Sequence, residues 1–156
     1  MALFCDLYVE TSFNFLEFIK KFFAWNALDA ELELRAAGNP RQYFAVAAKE
    51  RRFVVFSERA EQRNVDLSAL HIKPTVNLKF IITSSDWLCT HEDIVQMALT
   101  MMEHVEGDVA LIHGDCNVVL LRRANTLMLK RGEEFWTRER LDMITQPYQL
   151  NDIPRL

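Results

Sequence analysis

Hydrophobic and polar residues alternate over short stretches of the chain, and this period of two predicts half-buried β-strands. The first stretch lies at 2–10, where four apolar residues share one side: Leu3, Cys5, Leu7 and Val9. Alternation also predicts strands at 31–36 and 76–83, and further short strands are predicted at 43–48, 53–57, 109–113, 118–123 and 126–130. The alternation therefore predicts a protein rich in β-structure.

Two longer stretches change to the period of an α-helix. The first, at 13–25, follows the hydroxyls of Thr11 and Ser12, which are suitable N-caps. Its apolar stripe consists of Phe15, Phe18, Ile19, Phe22 and Phe23. The second helix is predicted to open at Thr90, in a sequence that resembles a capping box, and to stop at Gly107.

A third, short helix is marked near the C-terminus. Thr137 is a suitable N-cap, and Trp136 and Leu141 have the spacing of a hydrophobic staple. Pro147 cannot continue a helix, so the helix is expected to end before it. The residues at 148–150 are expected to run along the surface.

The predicted elements repeat in order. Residues 2–57 give strand, helix and three strands, and residues 76–130 give the same series, with a polar joint between the two halves. A helical segment at 135–150 follows. We therefore expect a single α+β domain over 1–156, a two-layer sandwich in which a mixed, mostly antiparallel sheet carries both long helices on one face.

Composition narrows the function classes. The chain has 156 residues, 50% of them hydrophobic, which suits one globular domain. Its net charge of -4 argues against nucleic-acid binding, which needs clustered Lys and Arg, and favours a basic partner. No apolar run approaches the ~18 residues of a membrane helix. Few, widely spaced cysteines and an N-terminus without a basic region predict a cytoplasmic protein.

Several motifs in the second half resemble one known family. They are Gly107-Asp108-Val109-Ala110-Leu111-Ile112, the strand closing on Arg122-Arg123, Phe135-Trp136-Thr137, Arg140-Leu141 and Pro147-Tyr148. This set is similar to the immunity proteins paired with myxobacterial swarming-inhibition toxins. The chain departs from the family at 113–116, where an apolar residue followed by Asn-Gly is expected. The resemblance implies a small protein that binds and neutralises one cognate toxin without catalysis.

The sheet face opposite the apolar stripes is the expected binding surface for that toxin, which acidic residues would suit if the toxin is basic. Trp87, in a predicted loop at 84–89, is an aromatic anchor candidate. The candidate partner-binding residues are Asp6, Tyr8, Glu31, Glu33, Lys79, Trp87 and Asp115. The oligomeric state stays open.

Other chemistry finds weaker support. Cys89 and His91, with His113 and Cys116, supply four potential zinc ligands, but their spacings are not those of a usual zinc motif. No metal or cofactor is therefore expected, and the zinc site stays an open alternative. His113 and Asp115 suggest acid–base work, yet no nucleophile stands at a defined spacing. The simpler interpretation is that His113 and Asp115 belong to a polar turn.

Two further function classes stay open beside the immunity protein. A secretion chaperone is also small, acidic and α+β, and it binds an unfolded effector segment. An enzyme is the third and weaker alternative, which a deep pocket with a strongly shifted titratable group would support. Co-purification with a globular enzyme in a one-to-one complex would favour the immunity protein. A homodimer that holds an extended segment would favour the secretion chaperone.

Overall fold

A computed structural model describes residues 4–27, 33–35, 43–47, 53–62, 65–82 and 87–156. The strands in these ranges are β1 (Phe4–Val9), β2 (Glu33–Arg35), β3 (Tyr43–Ala47), β4 (Phe53–Arg59), β5 (Val76–Ile82), β6 (Val109–His113), β7 (Asn117–Arg123), β8 (Thr126–Lys130) and β9 (Gln149–Asn151). The helices are α1 (Phe15–Trp25), α2 (Trp87–Met102) and α3 (Arg138–Asp142), with 3₁₀ turns at Ala60–Gln62 and Ser68–Leu70.

The described strands form one sheet in the order β2-β3-β4-β5-β1-β6-β7-β8-β9. All neighbours are antiparallel except β8 and β9, which are parallel. The two halves join where β4 pairs with β5, from Phe53 opposite Ile82 to Arg59 opposite Val76. The predicted α+β fold with a mixed, mostly antiparallel sheet is therefore confirmed.

Each half follows the predicted order of strand, helix and three strands, but the sheet exchanges their first strands. At the centre of the sheet, β1 of the first half pairs with β6 of the second half, whereas β5 of the second half pairs with β4 of the first half. Because each half supplies the central strand of the other, the two halves share one sheet.

One face of the sheet, here the helix-covered face, packs against the helices. Its apolar side chains include Leu7, Val9, Leu78, Phe80, Leu111 and Leu129. The stripe of α1 predicted from the sequence packs into the same cluster, together with Met97 and Met101 of α2. Their burial provides the main hydrophobic driving force for folding. No helix in the described ranges is both long and apolar enough to cross a bilayer.

The opposite face, here the tail-covered face, carries a second and smaller apolar cluster. Its buried members are Tyr8, Ala60, Leu67, Leu70, Ile72, Ala110, Ile112, Val118, Leu121, Met128 and Ile153. Both the 3₁₀ turn at 68–70 and the C-terminal tail contribute to it. The tail is fixed by a hydrogen bond from the Leu156 N–H to the Cys116 carbonyl, at 3.0 Å. This face is therefore partly covered by the chain itself.

The helix starts differ from those predicted. Asn14, rather than Thr11 or Ser12, caps α1, because its side chain accepts from the Glu17 N–H at 2.9 Å. Within the described residues, α2 begins at Trp87 and not at Thr90. Thr90 is buried one turn before the apolar stripe, so the helical period continues through it.

The C-terminal region confirms one prediction and corrects another. The Thr137 hydroxyl accepts from the Arg140 N–H, as expected of the N-cap of α3. The Trp136 indole donates to the carbonyl of Val119, the extra residue of the bulge in β7, at 2.8 Å. The segment at 148–150 does not simply follow the surface, because β9 adds a parallel edge strand to β8.

Candidate functional site

Two residues predicted to face an open surface are buried instead. Asp6 is 4% exposed and Tyr8 is 1% exposed, both on the tail-covered face of β1. Tyr8 belongs to the same apolar cluster as Ile153 of the tail. The expectation that alternate positions of β1 face solvent is wrong, because both faces of this central strand are covered.

Asp6 belongs to a polar group at the centre of the tail-covered face. The Asn77 side-chain amide donates to the Asp6 carboxylate at 3.2 Å. Cross-strand pairing sets Glu58 opposite Asn77, and all three residues are buried. Burying a carboxylate is unfavourable unless it is hydrogen-bonded, so this group strongly favours one register of the central strands.

Lys79 and Asp115 remain accessible to a partner. Lys79 is half-buried on the tail-covered face, and its ammonium lies 4.0 Å from the ring centroid of Phe4. Asp115 is exposed in the turn between β6 and β7. That turn is tied to β1, because the Gly114 N–H donates to the Phe4 carbonyl at 3.0 Å. The two predicted residues therefore flank the same end of β1.

The remaining predicted residues lie elsewhere. Glu33 is in β2 at one end of the sheet, opposite Ala45, with β3, β4 and β5 between it and β1. Trp87 is in the first turn of α2 and not in the predicted loop. Glu31 lies outside the described residues. Among the described residues, Lys79 and Asp115 thus lie near one end of β1, whereas Glu33 and Trp87 belong to β2 and α2.

Two histidines from the zinc hypothesis lie side by side. The ring centroids of His91 and His113 are 4.9 Å apart, and both rings pack against Phe135. In the described ranges, no three His, Cys, Asp or Glu residues are grouped to hold a metal ion. Cys116 is instead contacted by the guanidinium of Arg155, Nε to Sγ at 2.9 Å. The side chain of Cys89 lies outside the described part.

Neither candidate for acid–base or thiol chemistry has the geometry of a nucleophile and its base. His113 packs among aromatic rings while Asp115 is exposed, and burial lowers the pKa of His113. Nearby Glu133 raises that pKa and Arg140 lowers it further. Burial raises the pKa of the Cys5 thiol to about 12, and Asp6 adds to the effect. This thiol therefore stays protonated and unreactive at neutral pH.

A cleft of about 550 Å³ opens at the other end of the central strands. It lies where the chain leaves β1 for α1 and where it returns from α2 to β6. We call it the cleft. Its described lining residues are Glu10, Thr11, Ser12, Phe13, Thr75, His104, Val105, Glu106 and Gly107. Its volume falls in the range of ~300–1,000 Å³ typical of ligand sites.

The floor of the cleft is held by backbone contacts between its two sides. The Thr75 hydroxyl accepts from the Thr11 N–H at 3.2 Å, and the Glu10 N–H donates to Asp108 at 2.8 Å. Gly107 does not stop α2, which ends at Met102. A Cβ at Gly107 would lie 1.9 Å from the Glu10 carbonyl oxygen, so only glycine allows the two segments to approach this closely.

Arg122 closes the end of α2 beneath the cleft. Its guanidinium donates to the carbonyls of Met102 at 2.8 Å and Gly107 at 2.7 Å, and also to that of Val105. A buried cation suits the carbonyl end of a helix. Burial lowers the pKa of Arg122, and Asp108 partly offsets this. The charge of Arg122 is thus used within the fold.

The cleft wall combines carboxylates with aromatic rings. Glu10 is half-buried and Glu106 is exposed, and the nine described lining residues include no Lys or Arg. The rings of Trp25 and His104 are stacked at 4.7 Å and within 4° of parallel, and Phe13 lies 6.2 Å from Trp25. The ammonium of Lys21 lies 5.1 Å from the Phe13 ring. Such a wall can accept hydrogen bonds from a cationic donor and contact its apolar stem.

Sequence reasoning missed this cleft. Glu10 and Glu106 are separated by 96 positions, and only the antiparallel pairing of β1 with β6 brings them together. The available signals were indirect: Gly107 directly follows Glu106, and Glu10 ends the first alternating stretch. Neither signal identifies its partner without the sheet.

Comparison with known proteins gives one positive result. A family model described as SitI3-like matches residues 3–140, which include both halves of the fold and α3 through Arg140. This match confirms the family resemblance found in the sequence motifs. No curated protein and no solved structure matches the chain.

Proposed function

The chain belongs to the SitI3-like family, and we propose that it is an immunity protein that binds and neutralises a cognate antibacterial toxin. The family match carries this proposal, because it spans 3–140 and so includes strands β1 to β8 of the sheet. The sequence motifs that resemble swarming-inhibition immunity proteins support the same conclusion.

Neutralisation is proposed to act through protein–protein contact, with no turnover. Two titratable groups of the second and first halves suit a structural role: His113 packs on aromatic rings, and the Cys5 thiol stays protonated. A net charge of -4 supports a basic toxin, whose approach the opposite charges would accelerate. The free thiols of Cys5 and Cys116 fit action in the cytoplasm.

The predicted contact residues are revised by their burial. Asp6 and Tyr8 are proposed to support the interface from beneath, because their side chains are covered in the folded chain. Lys79 and Asp115, near one end of β1, remain proposed contacts. Glu31, Glu33 and Trp87 are proposed as contacts from the amino-acid sequence alone.

Co-expression with the toxin encoded beside this chain tests the function. We expect the chain to restore growth of cells that express the toxin, and to purify with it as a one-to-one complex measured by light scattering. Failure to restore growth at a verified expression level would contradict the proposal. A homodimer that holds an unfolded segment would instead identify a secretion chaperone.

A further inference from the structure

We propose that the cleft between Glu10 and Glu106 is the docking site for an arginine-bearing segment of the toxin. This inference rests on the proposed function and identifies the chemistry of its partner. The cleft lies at the opposite end of β1 from Lys79 and Asp115, so it is separate from the contacts predicted from the sequence.

The hydrogen-bonding groups of the cleft point to a guest that donates. The Thr75 hydroxyl is already bonded to the 9–11 backbone, and the Gly107 carbonyl already accepts from Arg122. The carboxylates of Glu10 and Glu106 are the acceptors best placed for a guest. A guanidinium offers five donors that match carboxylates in pairs.

The aromatic wall favours arginine over lysine. Phe13 and His104 line the cleft, and Trp25 lies within 6.2 Å of the Phe13 ring and stacks on His104. A planar guanidinium stacks on aromatic faces and keeps its edge free for carboxylates, whereas an ammonium behaves as a compact point charge. Charge complementarity selects the same guest, because the described lining residues include two glutamates and no Lys or Arg. The ammonium of Lys21, over the Phe13 ring, is the cation that a guest would meet beside the cleft.

The cleft is also preformed. Arg122 fixes the loop that follows α2, and the close approach of Gly107 to Glu10 fixes the spacing of the two walls. A site that needs no ordering on binding loses less conformational entropy. We therefore expect these residues to contribute strongly to the affinity for the toxin.

Binding of the purified chain to an inactivated toxin, measured by calorimetry, tests the proposal. The double substitution Glu10→Gln and Glu106→Gln should weaken binding at least about tenfold, since charge-assisted hydrogen bonds would be lost. Glu134→Gln with Asp142→Asn removes the same charge from exposed positions around α3, at the other end of α2, and should leave affinity unchanged. Affinity within twofold of the parent for the first pair would overturn the proposal.

Two further measurements keep the test decisive. Glu106→Gln alone changes an exposed side chain, so a several-fold loss in this variant supports the proposal even if the Glu10 variant is misfolded. If the parent chain binds no toxin, the proposed function fails, and titration with L-arginine amide then tests the cleft by itself. Shifts of the Gly107 and His104 amide resonances that vanish in Glu106→Gln would support it, and their absence would overturn it.

A second copy of the chain is the competing occupant. Sedimentation of the parent chain over a range of concentrations distinguishes it from the toxin. A dimer that Glu106→Gln dissociates would assign the cleft to self-association and overturn the proposal. A monomer throughout, with affinity for the toxin lost in the variant, supports it.

Discussion

The two faces of the sheet are buried in different ways. The helix-covered face packs against α1 and α2 through large apolar side chains such as Phe22 and Phe80. The tail-covered face has a smaller apolar cluster and the buried polar group around Asp6 and Asn77, beneath a 3₁₀ turn and the C-terminal tail. Burial alone therefore does not define a core, because packed helices restrain the side chains beneath them more tightly than a short tail does.

Adjacent residues of β6 provide the sharpest test of that difference. Leu111 is buried on the helix-covered face and Ile112 on the tail-covered face. Leu111→Ala should lower the free energy of unfolding by about 4 kcal/mol, since packed helices cannot fill the cavity. Ile112→Ala should cost about 2 kcal/mol, because the tail can relax. Equal losses in urea denaturation would remove the distinction.

Deletion of residues 152–156 exposes only one face. It removes Ile153 from the second cluster and the Leu156 hydrogen bond to Cys116. Unfolding free energy should fall by about 2–3 kcal/mol, mainly from lost apolar burial. In this background Ile112→Ala should cost less than in the full chain, and Leu111→Ala the same. A changed Leu111→Ala value would show that the tail also restrains the helix-covered face.

A buried polar side chain on each face gives a smaller contrast. Asn77→Ala removes the donor to Asp6 and should destabilise the chain by about 1–2 kcal/mol. Ser57 pairs with Leu78, and its buried hydroxyl has no hydrogen-bond partner in the described part of the chain. Ser57→Ala should therefore be neutral or slightly stabilising. Thermal unfolding of both variants checks this. A larger loss of stability in Ser57→Ala than in Asn77→Ala would contradict the prediction.

The smallest expected effect is a pH dependence from the helix-covered face. Burial lowers the pKa of His113 in the folded chain, so the unfolded chain binds its proton more readily. The free energy of unfolding is therefore highest above pH 6.5, the ordinary pKa of histidine, where His113 is neutral in both states. It falls as the pH drops below that value. One group contributes at most about 1.4 kcal/mol per pH unit. His113→Phe should flatten urea midpoints between pH 7 and 5, and an unchanged slope would contradict this.

Most of the fold could be predicted from local patterns. The short apolar runs at 109–113 and 126–130, next to turn residues, predicted the bounds of β6 and β8, and the Thr137 cap predicted the start of α3. The start of α2 could not be found this way, because Thr90 suits both a cap and a buried helical position. The edge strand β9 was also missed, since its residues are mostly exposed and pair only through tertiary structure.

The sequence by itself determined the periodicities, the fold class and the family, because hydrophobic spacing and short motifs are local properties. Only the tertiary structure decided which polar positions reach solvent. Asp6 and Lys79 have the same pattern in the sequence, yet the former is buried and the latter half-exposed. The cleft likewise depends on residues 96 positions apart, which the pairing of β1 with β6 brings together.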